Sequence, residues 1–165
     1  MAYFNELNTN INIVLEYILG DQDLCKLIYY NEPNPLSQPT ISDTSILLFD
    51  KIYPLPKKVL AEEEKATILN TYFYSSKPYS NNSGFRPVVL CFDIMCHLDV
   101  WKIESALRPY SISNKIDTLF NNEYNSDLSM NYIYFMSWSP MQYSDYYYGY
   151  NLKYSLSNSS NIGCE

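Results

Sequence analysis

The sequence predicts an α+β fold: a single antiparallel β-sheet of about four strands with helices packed on one face. Three observations predict it. Apolar residues near the N-terminus recur every three or four positions, which is the helical period. Beyond Lys65 the period falls to two, the period of strands. Between the two regions lies a proline-rich break, and helical spacing returns only for a short run ending at Phe120. Helices followed by meandering strands bury their apolar faces best as one sheet covered on a single side. At 165 residues the chain suits one domain, residues 1–165, with a proper core.

The N-terminal helices are expected over residues 5–30. Ile11, Val14, Leu15, Ile18 and Leu19 share one face, and Gly20 stops the pattern as a C-terminal cap. Asp21 caps a second helix whose stripe is Leu24, Leu27 and Ile28. Residues 31–42 are a loop, because Pro33, Pro35 and Pro39 remove donors and block helix. "SILLFDKIYPLP" (Ser45 to Pro56) is too short to tell strand from helix, and its closing prolines force an extended exit.

Sheet and third helix occupy residues 66–157. "ATILNTYFYSS" (Ala66 to Ser76) is a strand, and "FRPVVLCFDIMCH" (Phe85 to His97) is the strongest one, dense in β-branched and aromatic residues. Ile112, Ile116, Leu119 and Phe120 form a helical face with Ser111 or Ser113 as its cap. "DLSMNYIYFMSWSP" (Asp127 to Pro140) and "YYGYNLKYSLS" (Tyr147 to Ser157) return to strand. Residues 158–165 are expected to be a flexible tail.

Composition narrows the function. The aromatic fraction is 16%, from 18 tyrosines, 7 phenylalanines and 2 tryptophans. Tyrosine suits half-buried sheets and interfaces, since its ring adds apolar area while its hydroxyl tolerates water. With only 4 glycines the chain lacks the loops that cradle phosphates. The net charge of −7 is uneven: residues 1–50 carry seven acids against one lysine, a net of −6, while residues 51–165 carry only −1. Such a surface repels phosphate backbones, which argues against a sequence-independent grip on nucleic acid. The acidic third keeps the protein soluble or faces a basic partner.

Cys25, Cys91, Cys96 and Cys164 lack the paired spacing of a zinc site, and Cys91 and Cys96 would point to opposite faces of one strand. All four read as free thiols in a reducing compartment. No apolar run reaches membrane-spanning length, and "MAYFNELNTN" lacks the features of a signal peptide, so the expected compartment is a cytoplasm.

His97, the single histidine, has Cys96 beside it and Asp93 and Asp99 nearby. Adjacent strand residues point to opposite sides, so Cys96 and His97 cannot act as nucleophile and base. Asp99 could orient His97, but no serine motif or second histidine completes a triad or a metal set. Its expected role is structural, and Glu62, Glu63 and Glu64 read as a solvated run. No catalytic, cofactor-binding or metal-ligating residue is assigned. Pro109 restricts Arg108 to extended geometry, ends any helix running in from "DVWKIESAL" and presets the next one. Trp101, Arg108 and Pro109 therefore form a structural joint, with Trp101 as packing anchor and Arg108 placed to meet a carboxylate. One core cannot bury so many rings, so Tyr146, Tyr147, Tyr148, Tyr150 and Tyr154 are the interface candidates.

Several landmarks stand in order after a helical start: "LCKLIYY", "KIYPLP", "VVLCFDIMCHLDVW", "LRPYSISNKIDTLFN" and "YYGYNLKYSL". Over residues 10–156 the chain resembles the neck proteins of tailed bacteriophages, of the tail terminator or tail completion (head-to-tail connector) type. That resemblance implies a structural virion protein, assembled in the host cytoplasm into a hexameric ring. The ring would terminate the tail tube or join it to the head, with tail-tube and head-connector proteins as partners. DNA would pass through an acidic lumen without specific binding, and no catalytic residue or cofactor is implied. The competing readings are a cytoplasmic binding module with a tyrosine-rich surface and a small hydrolase using His97 with Asp99.

Overall fold

The computed structural model of the chain describes residues 3–58, 64–75, 88–121 and 132–157. The predicted tail with Cys164, Glu62 and Glu63, and residues 76, 85–87 and 127–131 of three predicted strands lie outside them. Helices α1 (Tyr3–Gly20) and α2 (Gln22–Tyr29) come first, then β1 (Ile52–Tyr53), β2 (Thr67–Ser75) and β3 (Val88–His97). A small hairpin, β4 (Lys102–Ile103) with β5 (Ala106–Leu107), leads into α3 (Arg108–Phe120), and β6 (Tyr132–Gln142) and β7 (Tyr147–Ser157) follow.

The main sheet runs β1-β2-β3-β7-β6. Four of its strands are antiparallel, as the period-two segments require, and β1 adds a two-residue parallel edge on β2. That fifth strand came from the ambiguous "SILLFDKIYPLP" stretch; two residues are too few to show a period. Central β3 is buried at every position from Val88 to His97. This explains why its sequence reads as a nearly continuous apolar run.

Its even residues Leu90, Phe92 and Ile94 face the helices, packing with Ile18 and Leu27 and with Ile112, Ile116 and Phe120 of α3. On the far face Met95 and Tyr147 pack with Tyr53, Ala66 and Ile68. Phe120 is 2% exposed and stacks on Phe92 with ring centroids 5.3 Å apart. Phe120→Ala should therefore cost about 3–5 kcal/mol in chemical denaturation. A loss below about 1 kcal/mol would mean that α3 does not cover the sheet.

Local signals explain most element ends. The Asp21 carboxylate accepts the Leu24 N–H at 2.8 Å and opens α2. Gly20 ends α1 without a left-handed φ, so the close succession of α2 takes over from a glycine cap. The largest departure is at Pro109. Leu107 is the extended residue (φ −106°, ψ 125°), and α3 starts at Arg108 with the proline in its first turn. Proline suits that place because its φ is preset and its missing N–H has no intrahelical partner to lose. Arg108 is therefore helical, not extended, and the segment before it is a hairpin. Ser111 and Ser113 do not cap; their hydroxyls donate back to the Leu107 and Pro109 carbonyls.

Phe49, in the turn before β1, is the one non-glycine residue with positive φ (61°) among those described. A left-handed backbone costs a bulky residue about 1–2 kcal/mol. Cys25, Cys91 and Cys96 are buried free thiols. Burial pushes Cys25 and Cys96 up to about 12 and Cys91 to about 11, which leaves them protonated and unreactive at neutral pH.

Candidate functional site

Arg108 is fully buried and meets no carboxylate within the described residues. Its Nε donates to the Val100 carbonyl at 2.7 Å, and its Nη atoms donate to those of Leu27 (2.6 Å), Tyr30 (2.6 Å) and Glu32 (2.9 Å). Those last three carbonyls gather where α2 ends, so the cation meets the negative end of a helix dipole in place of an acid. Burial lowers the Arg108 pKa, opposed by the carboxylate of Glu32. Trp101 is half-buried against the core, and its carbonyl accepts the Arg108 N–H at 2.8 Å. The segment joins α2, β3 and α3.

His97 ends β3 with its ring stacked on Tyr146 (centroids 5.8 Å) and edge-on to Tyr147 (5.3 Å). Its Nδ1 accepts the Asp99 N–H at 3.1 Å, so that nitrogen carries no proton. A carboxylate-oriented catalytic histidine needs the opposite tautomer, with Nδ1–H donating to the acid. The Asp99 carboxylate instead pairs with Lys65 at 2.5 Å, which holds its pKa below the usual range. Asp93 lies elsewhere on the strand, accepting from the Asn151 amide at 2.7 Å. His97→Gln should fold normally, with a loss of about 1–2 kcal/mol at most. Stoichiometric zinc that this substitution removes would contradict that. Among the described residues no His, Cys, Asp and Glu side chains cluster as a metal site, and no helix is long and apolar enough to cross a membrane.

The tyrosines of β7 divide. Tyr147 and Tyr154 are completely buried, so neither can offer a ring to a partner. The Tyr147 hydroxyl donates to the Glu64 carbonyl at 2.5 Å, and that of Tyr154 to Asp117 Oδ1 at 3.0 Å. Tyr148 and Tyr150 are half-buried, and Tyr146 is exposed but committed to His97. The physical reason is position: β7 lies inside the sheet, and the edge is β6.

That edge strand, β6, carries a cluster of exposed apolar residues. Phe135, Met136, Trp138 and Met141 are 42–54% exposed. A bulge between Phe135 and Ser137 shifts the register, so that Phe135 opposes Tyr154 and Trp138 opposes Leu152. Without it the two rings, three residues apart, would lie on opposite faces; with it both turn towards α3. Between them and α3 runs a groove of about 330 Å³, lined by Tyr110, Asn114, Asp117, Phe135, Trp138 and Tyr150 among others. The Tyr150 ring sits 5.0 Å from Tyr110 and 5.1 Å from Trp138, centroid to centroid. Three adjoining rings thus share the groove with one carboxylate, Asp117, which accepts from the Tyr154 hydroxyl and the Asn121 amide.

This edge is not built to accept another strand. The bulge breaks its line, Pro140 lacks a donor, and the Phe135 N–H is taken by Asn121 Oδ1 at 3.0 Å. A partner would dock on side chains. The sequence held a signal for this surface: "YIYFMSWSPM" abandons strict alternation and ends at a proline, which marks an edge strand.

Neither the curated proteins nor the solved structures contain a match to this chain. The YomW family model, by contrast, matches residues 21–156, a span from Asp21 at the start of α2 almost to the end of β7. With the sheet, the Arg108 joint and the α3–β6 groove all inside that match, the chain belongs to the YomW family, which is phage-derived.

Proposed function

We propose that this protein is a structural component of a phage particle, a neck protein that assembles into a hexameric ring at the junction of tail and head. The observation that carries the reading is the β6 edge, where Phe135, Met136, Trp138 and Met141 are all exposed and two of them, Phe135 and Trp138, open onto the groove beside α3. Exposed apolar patches of this kind favour subunit contact over water. The phage derivation of the family and the sequence resemblance to tail terminator and tail completion proteins support the location.

Charge distribution supports the same arrangement. The acidic helices α1 and α2 pack over the β2 side of the sheet, and the apolar edge is at β6. Subunits can then join through β6 while their acidic helices turn to a lumen, where a polyanion slides without sticking. Tail-tube and head-connector proteins are the expected neighbours. The His97 tautomer and the Lys65–Asp99 pair weigh against the hydrolase reading. Fab fragments against the chain, imaged on purified particles, test the role. Density at the head–tail junction is expected; particles lacking the protein, or labelled elsewhere, contradict it.

A further inference from the structure

The α3–β6 groove has a counterpart at the other edge of the same sheet. Just ahead of β1, Ile46 and Phe49 stand out at 51% and 61% exposure. A left-handed φ of 61° holds Phe49 in a turn where the Leu47 carbonyl accepts both the Asp50 and Lys51 N–H groups. Glycine or asparagine would occupy such a turn without strain. A large ring kept there, aimed at water, gains nothing in the single chain. Strain of this kind persists where the surroundings enforce it, and it concentrates at recognition positions.

Charge points the same way. From Phe49 to Lys58 the chain carries three lysines against one acid, Asp50, and Lys57 is held on Tyr53, donating to its hydroxyl at 2.8 Å. Asp117 lines the groove together with aromatic and amide side chains and no base.

We infer that the Phe49 turn of one copy seats in the α3–β6 groove of the next copy. The ring enters among Tyr110, Trp138 and Tyr150, and Lys51 and Lys58 of its edge face Asp117. This inference rests on the self-assembly reading above and names its contact. A groove of about 330 Å³ admits one aromatic side chain. The two patches differ and lie on opposite edges, β1 and β6, so the contact is head-to-tail, and it gives a ring when the rotation closes.

Complementation in sedimentation velocity tests it. Phe49→Gly removes the ring and relieves the φ, so the fold is kept; Trp138→Glu spoils the groove at a half-exposed position, and circular dichroism checks both. Each variant alone should sediment as a single chain. An equimolar mixture should form pairs and stop there, because only one intact knob and one intact groove remain per pair. A mixture that stays single, or Phe49→Gly that assembles like the wild type, overturns the pairing while leaving wild-type assembly standing. A wild-type chain that is itself single at the same concentration overturns both.

Discussion

Arg108→Ala should remove a large part of the stability of this protein, about 4 kcal/mol against the 5–15 kcal/mol typical of a domain. The guanidinium donates to four carbonyls, three of them gathered where α2 ends and one at Val100. Truncation leaves the buried Val100 and Leu27 acceptors unsatisfied, at about 1–3 kcal/mol each, while the part-buried carbonyls of Tyr30 and Glu32 cost less. It also cuts the tie that holds α2 to the start of α3. Arg108→Lys should recover only part, because an ammonium is a point donor and cannot span the fork. Urea denaturation of both variants measures this. If Arg108→Ala loses less than about 1 kcal/mol, the joint does not hold the helices together.

Gly149→Ala should be as damaging for a different reason. Gly149 lies in the interior of β7, opposite Met95 on β3 and Met141 on β6. A Cβ built there would fall far inside van der Waals contact with the Ile94 carbonyl oxygen and 2.9 Å from its carbon. Those are backbone atoms of the central strand, so no side chain can swing aside. The strands must separate, at a cost of about 3 kcal/mol or more, the upper end of overpacking penalties. Because β7 carries β6, the groove should be lost with the pairing. Thermal unfolding checks the stability, and an alanine variant that melts with the wild type would mean the β3–β7 register is wrong.

How much of this was legible in the sequence depended on whether the signal was local. The stripes of α1, α2 and α3 and the apolar run of β3 follow from neighbours in the chain, whereas β1 and the β4–β5 hairpin are too short to show a period. Strand order is not local. Nothing in "YYGYNLKYSL" says that β7 is covered by β3 on one side and β6 on the other, which is why Tyr147 and Tyr154 are core residues and not interface. Arg108 shows the same limit. Its partners include carbonyls 76 to 81 residues away, and carbonyls leave no mark on a sequence, so a carboxylate was the natural expectation. The Pro109 departure was a choice between two roles of one residue, helix end and helix first turn, and only the hairpin before it decides. The β6 surface was partly visible, in the broken alternation and in Pro140, but the bulge that turns Trp138 towards α3 is set by pairing with β7.

The account stands on self-assembly through the β6 edge, and the native mass of the purified wild-type chain tests that most directly. Native mass spectrometry across a range of concentrations should show one closed oligomer, a hexamer, with no ladder of larger species, and Trp138→Glu should reduce it to the single chain while the circular dichroism spectrum is unchanged. A wild-type chain that remains single at every concentration, or an oligomer indifferent to Trp138→Glu, would contradict the account.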